Sequence, residues 1–428
     1  MTNTLAPQFL FLIVSCAITT VAHAEFAFRD GDTVAFLGDS ITAARGYTKI
    51  VEHYTLMRFP DRKVRFVNAG KGGDTASGCL ERLESDVFAH GATVVTVALG
   101  VNDIGWGMKA TPENKQRYLD GIRTIIERCR ERKVRPIICS AAITAETSDK
   151  AENGFLQKMT DEGLALAKSL GAETVDLQRG MREVQRRIET ANAKETDPKK
   201  HVRLHVADGV HLTDLGQLAM AFAMLKGLGA PQEVSTAVLD AETGTVVNKE
   251  ACEVTEIAKE DGGIRFVRAD RGLPLTLGAF SALDFRWVPI SEEIGRYVLA
   301  VKNLPSGDYQ IRAEGRLLGK ASAGQLARGM NLSTMTADPW QPGGPWDAQS
   351  VAVKELVDAR DKLWMSGRTS ALHLQTHPQI TELSQQNKAL DDALVTLQRT
   401  LAKPQPYHFS ITKAQPAADA EAGGKRAN

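Results

Sequence analysis

The chain has 428 residues, and its 52 lysines and arginines are balanced by 52 aspartates and glutamates, so the formal net charge is zero. That balance removes the long-range attraction used to bind nucleic acid or anionic lipid. Apolar residues at 43% and charged residues at 24% exclude a mostly disordered chain, and the length suggests two domains or three.

Phe9 to Val21 is almost wholly apolar or small, and Ala22-His23-Ala24 precedes Glu25. This predicts a signal peptide over 1–24, cleaved after Ala24, and a secreted or periplasmic protein. The run is too short for a good membrane span. A variant reading takes Ile13-Val14-Ser15-Cys16 as a lipobox with a lipid anchor on Cys16. No later segment has the length and apolarity of a span. Beyond the leader lie Cys79, Cys129, Cys139 and Cys252, with no CxxC. Buried free thiols are expected, not a disulfide scaffold or a zinc ribbon.

From Phe26 to about Ala230, strand and helix patterns alternate. Short apolar runs at Thr33–Leu37, Lys63–Asn68, Thr93–Leu99, Arg135–Ser140 and Glu173–Asp176 have the length of buried strands. Between them, apolar residues recur at helix spacing, as in Tyr118, Ile122, Ile125 and Ile126. Apolar strands separated by amphipathic helices predict a parallel sheet covered on both faces. Sites in such sheets form at the carboxyl ends of the strands. The domain is expected over residues 25–232. A small antiparallel β unit is expected over 233–335, where short β-like pieces are separated by turn formers. Residues 336–412 should hold a Pro/Gly-rich loop, a helical pair and a short strand. In the second helix Leu383, Leu390, Leu394, Leu397 and Leu401 fall on one face, which predicts a packed apolar seam. The tail, 413–428, has a disordered composition.

Four short stretches carry chemistry. Gly38-Asp39-Ser40 ends the first strand where a helix begins, which presents a serine hydroxyl at the sheet edge. Asn68 to Thr75, containing Gly70, Gly72 and Gly73, ends the second; its glycines let backbone N–H groups approach a ligand. It lacks the spacing of a phosphate loop. Gly100-Val101-Asn102-Asp103 ends the third strand and can offer a side-chain N–H. Far downstream, Asp208-Gly209-Val210-His211 pairs a carboxylate with an imidazole three residues on. Each stretch alone has a plain structural reading, as a helix cap, a turn, an Asx-turn or a surface pair. Together they supply a nucleophile, two kinds of oxyanion donor, a base and an orienting carboxylate.

With these blocks in this order, residues 30–228 resemble the SGNH (GDSL-type) hydrolase family. The resemblance implies a three-layer α/β/α sandwich of flavodoxin-like type and a serine esterase needing no cofactor and no metal. It implies Ser40 as nucleophile, His211 as general base and Asp208 as its orienting partner. The oxyanion hole would comprise the N–H groups of Ser40 and Gly73 and the Asn102 amide. Asp39 and Trp106 are possible substrate contacts. The expected substrate is a small-molecule or polysaccharide acyl ester, with an acetyl ester of carbohydrate as the preferred reading. A lipase, lysophospholipase or thioesterase of the same family is the alternative. A glycan-binding protein with an inert core, or a metallophosphoesterase using Asp39, Asn102, Asp103 and His211, are rivals from other classes. Lys71 and Arg45, close to the blocks, read as solvated surface charge.

Overall fold

The computed structural model describes residues 25–260, 262–278 and 281–414. The expected leader, Cys16 and nearly all of the expected disordered tail lie outside them. Five strands form a wholly parallel sheet: β1 (Thr33–Gly38), β2 (Arg65–Gly70), β3 (Val94–Ala98), β4 (Arg135–Cys139) and β5 (Glu173–Val175), in the order β2-β1-β3-β4-β5. Alternate side chains go to opposite faces. Val34 and Phe36 join a core with Tyr47, Val51, Met181 and Leu218, whereas Ala35 and Leu37 join one with Tyr118, Ile122, Ile125 and Met159. Burial on both faces is why the strands read as continuous apolar runs, and the arrangement is the expected α/β/α sandwich. The boundaries move by one or two residues; β2 starts at Arg65 and runs on to Gly70, because its register pairs Gly38 with Gly70.

The second half is larger than one antiparallel unit. Strands β6 (Glu233–Asp240), β7 (Thr245–Glu250), β8 (Cys252–Glu260), β9 (Gly263–Asp270), β10 (Arg296–Lys302), β11 (Asp308–Ala313), β12 (Arg316–Ser322), β13 (Met330–Asn331) and β14 (Tyr407–Lys413) make two sheets. One has the order β13-β10-β6-β7 and the other β12-β11-β14-β9-β8. The β6–β10 pair is parallel, a pairing that local alternation cannot reveal. Both sheets contribute to a core around the fully buried Trp346, which stacks on Phe409 and meets Tyr297 edge-on. Leu56 and Met57 of the catalytic-side helix Gly46–Arg58 enter the same core, so one helix serves both halves.

Two long helices, Pro345–His373 and Ile380–Ala402, form a hairpin beside β2. β2 is an edge strand, with carbonyls open to that side. The hairpin covers them with arginines: Arg399 donates to Val64 O at 3.3 Å, Arg360 to Phe66 O at 3.1 Å and Arg368 to Gly70 O at 3.4 Å. Ion pairs flank the seam. Arg360 meets Asp391 at 2.7 Å and Glu52 at 3.1 Å, and Lys49 meets Asp358 at 2.6 Å. Arg45, expected on the solvated surface, is instead buried here against Asp361. The apolar leucine seam is also corrected. Leu390 and Leu397 are half exposed, and the buried residues of that helix are Val395, Gln398 and Ala402. A helix that lies along an open strand edge must bring donors, so its inner face is polar. The cysteines Cys79, Cys129, Cys139 and Cys252 are free and buried.

Arg360 is the junction of this seam, and its removal leaves the buried Glu52 carboxylate without an ion-pair partner, while Asp391 keeps Arg65 at 3.0 Å. Arg360→Met is therefore expected to lower the unfolding free energy in urea by about 3 kcal/mol. Arg399→Met, which gives up one long contact, should cost under about 1 kcal/mol. Equal losses in the two variants would contradict this account of the seam.

Candidate active site

The strands β1, β2 and β3 end at one level, and the loops that follow them open on the same edge. After Gly38 the chain turns at once: a Cβ there would sit 2.0 Å from Thr42 Oγ1, and one on Gly70 would sit 2.2 Å from the Ala43 nitrogen. Only glycines allow the Ser40–Ala43 turn to lie this close to the strand ends. That turn is a single one; the chain then breaks at Arg45 (φ 68°) before the helix Gly46–Arg58. Asp39 caps the turn, accepting from Ile41 N–H at 2.9 Å, and this sets Ser40 at its first position.

Ser40 Oγ lies 2.9 Å from His211 Nε2. His211 Nδ1 lies 2.6 Å from Asp208 Oδ2. The other oxygen, Asp208 Oδ1, accepts from the N–H groups of Val210 at 2.8 Å and His211 at 2.9 Å. The bond from the His211 ring, with those two N–H bonds, holds the Asp208 carboxyl well below the usual range, at about 2. The three residues thus form one hydrogen-bonded row across 171 positions of sequence. The loop that carries His211 is itself pinned: Val206 N–H donates to His211 O at 2.9 Å, and Leu212 bridges to the buried His205.

Asn102 reaches the same place from the end of β3. Its Nδ2 donates to Asp74 O at 3.1 Å and, at the long distance of 3.4 Å, to Asp39 Oδ2. Its Oδ1 accepts from Trp106 Nε1 at 2.9 Å. Gly73 adopts φ 74° in the loop after β2, with open space where a Cβ would be. Among the described residues, neither the Ser40 nor the Gly73 N–H donates to a backbone acceptor. Asp39, expected among possible substrate contacts, is 4% exposed and is engaged by Ile41 and Asn102. It faces the protein, not the cleft. Trp106 does face the cleft, at 46% exposure, with its ring edge-on to His211 at 5.7 Å. Lys71 is exposed.

Three further residues support the loops. Arg82 donates to Ala69 O at 2.6 Å, to Gly38 O at 3.1 Å and to Asp74 Oδ2 at 2.6 Å, so one guanidinium ties the ends of β1 and β2 to the glycine loop. Asp103 Oδ1 accepts from Ala76 N–H at 3.0 Å, joining the loops after β2 and β3. Asp74 and Asp103 each directly follow a block residue, which was a usable signal. Nothing in the sequence marks Arg82. Among the described residues, no group of three or more His, Cys, Asp or Glu side chains is placed to hold a metal ion.

Residues 36–219 match the GDSL-like Lipase/Acylhydrolase family. An acetylxylan esterase of Geobacillus stearothermophilus is 24% identical over 221 residues, which are 46% of this chain and 94% of that protein. An uncharacterized lipoprotein, YqeF, of Bacillus subtilis is 28% identical over 126 residues, 28% of this chain and 51% of that one. The structure of a gut microbial diltiazem-metabolizing enzyme superposes with a TM-score of 0.78 at 21% identity, covering 90% of this chain and 98% of its own. That likeness extends the shared fold through the second half. Residues 36–219 are thus a domain of the GDSL-like lipase/acylhydrolase family, and the chain is a serine ester hydrolase of the SGNH type.

Proposed function

We propose that this hydrolase removes short acyl groups, acetyl above all, from carbohydrate esters through an acyl-Ser40 intermediate. The observation that carries the chemistry is the row Asp208–His211–Ser40, with spacings of 2.6 and 2.9 Å. A serine hydroxyl is a weak nucleophile at neutral pH and needs an adjacent base. His211 Nε2 takes the hydroxyl proton as Ser40 Oγ attacks the ester carbonyl. Asp208 keeps the other ring nitrogen protonated and supports the imidazolium that forms. The oxyanion of the tetrahedral intermediate accepts from the N–H groups of Ser40 and Gly73 and from Asn102 Nδ2. The long 3.4 Å contact to Asp39 is the one that the Asn102 amide gives up to the oxyanion. Collapse breaks the ester C–O bond, and His211 returns its proton to the departing alcohol. Water, deprotonated by His211, then attacks acyl-Ser40 by the same route. The acid leaves and Ser40 regains its proton.

One relative is named an acetylxylan esterase, and the sequence expectation of export would meet extracellular polysaccharide. Acetate release from a panel of acetylated oligosaccharides and polysaccharides tests the substrate class. Turnover of long-chain p-nitrophenyl esters faster than the acetate ester would favour a lipase instead.

Asn102→Ala should lower kcat by about 10²–10³-fold, the loss associated with one oxyanion donor. Ser40→Ala should leave no burst of acyl-enzyme. Parental turnover of p-nitrophenyl acetate by Asn102→Ala would remove that residue from the oxyanion hole.

Asp39 adds a pH dependence of stability. Burial pushes its carboxyl up to about 6, outweighing the Ile41 N–H bond and the nearby His211. Its unfolded value is about 3.9. Between about pH 4 and pH 6 the unfolded state releases this proton first, so the stability that Asp39 contributes is full below that window and lost as pH rises through it. Asp39→Asn, neutral throughout, should therefore lose less stability than the parent between about pH 4 and pH 7 in urea unfolding. Parallel pH curves for the two proteins would contradict it.

A further inference from the structure

Trp106 occupies an unusual place. Its backbone lies in the left-handed region (φ 59°, ψ 28°), between Gly105 at φ 51° and Gly107 at φ 96°. Bulky side chains rarely adopt this conformation, and where they do the surroundings hold them there. Here the holding bonds run back to the block that carries Asn102. Trp106 N–H donates to Val101 O at 3.0 Å, and Gly105 N–H donates to Asn102 O at 2.9 Å. The result is a tight left-handed turn that folds the indole over the Asn102 side chain.

The contacts made by that indole are specific. An indole N–H is a donor only, whereas an amide has a donor end and an acceptor end. Nε1 meets the acceptor end, Asn102 Oδ1, at 2.9 Å. The donor end is therefore directed toward Asp74 O and Asp39, beside Ser40. Reversing the amide would set two donors against each other at Trp106. Asp39 and Asp74 are both buried and grip the amide from within the protein; Trp106, at 46% exposure, grips it from the solvent side. A donor on the amide oxygen also polarises the N–H bonds and strengthens them as donors. The same ring stands edge-on to His211 at 5.7 Å, which limits rotation of the base.

We infer that Trp106 is a positioning residue for the acyl-transfer reaction, acting through Asn102: its indole N–H orients and polarises the amide that receives the oxyanion. The inference rests on the acyl-Ser40 reading above. It differs from a wall that merely binds substrate, because a wall acts on KM and an oriented oxyanion donor acts on kcat.

Trp106→Phe keeps a ring beside His211 and removes only the donor. In the full chain, kcat for p-nitrophenyl acetate should fall about tenfold, the scale of one hydrogen bond, while KM stays within about twofold. In an Asn102→Ala background the same substitution should have no further effect on kcat, because the group it acts through is gone. Unchanged kcat with raised KM would overturn the inference, as would a tenfold loss that persists in the Asn102→Ala background. Melting temperatures identify any variant that fails to fold, and Trp106→Leu, which has no donor at all, then serves as the second variant with the same expected outcome. Labelling of Ser40 by a fluorophosphonate probe separates the two levels. A parent protein that is neither labelled nor active defeats the acyl-Ser40 reading itself. A labelled, active parent whose kcat ignores the loss of the donor defeats only the role of Trp106.

Discussion

The site depends on the register of three parallel strands. β1 pairs Gly38 with Gly70 on one side and with Ala98 on the other. All three loops therefore leave the sheet at one height, and the order of strands reverses between β1 and β3, where the sheet opens a crevice. A slip of one residue in any pairing would send every side chain of that strand to the opposite face. It would also carry Ser40, Gly73 or Asn102 out of reach of the others. The register is protected by burial on both faces and by Arg82, which holds the carbonyls of Gly38 and Ala69 together. Hydrogen bonds of 2.6 to 2.9 Å in the Asp208–His211–Ser40 row are thus the outcome of packing far beneath it.

The second half bears on the same sheet from its side. An exposed parallel edge is a template for unwanted strand addition. Here the helical hairpin meets β2 with guanidinium groups instead of with another strand. The choice has a physical logic. Carbonyls on an edge strand accept hydrogen bonds, and long arginine side chains can reach them from a helix axis while their stems cover apolar surface. The carboxylates of Glu52, Asp358, Asp361 and Asp391 then balance the charge. The contact is polar, and this explains why its helices carry so many charged residues on the inward side.

The sequence made the catalytic half legible because each of its elements is short, buried and followed by chemistry. Four blocks in order disclosed the sheet edge, and the alternation disclosed the layers. Legibility failed where partners are distant. The parallel pairing of β6 with β10 leaves no trace in local alternation, and neither does the insertion of β14 between β9 and β11. The leucines of Ile380–Ala402 suggested an apolar seam because helix periodicity reports a face without saying what lies opposite. Asp39 was misread for a related reason: it adjoins Ser40 in sequence, but its carboxylate points inward to Ile41 and Asn102. Arg45 read as a solvated surface cation although the fold closes around it, and nothing in the sequence marks Arg82.

The position of β14 has a consequence for synthesis. It lies beyond the hairpin in sequence, yet it fills the middle of a five-stranded sheet. While the ribosome is still making the hairpin, the pairs β8–β9 and β11–β12 can exist only as separate ribbons with facing bare edges. The parallel sheet has all its strands by β5, and only its β2 edge waits for the hairpin. Until β14 is present, the two antiparallel ribbons show each other unpaired edges, the kind of surface on which incomplete chains associate. Prompt arrival of one strand, Tyr407–Lys413, ends that exposure.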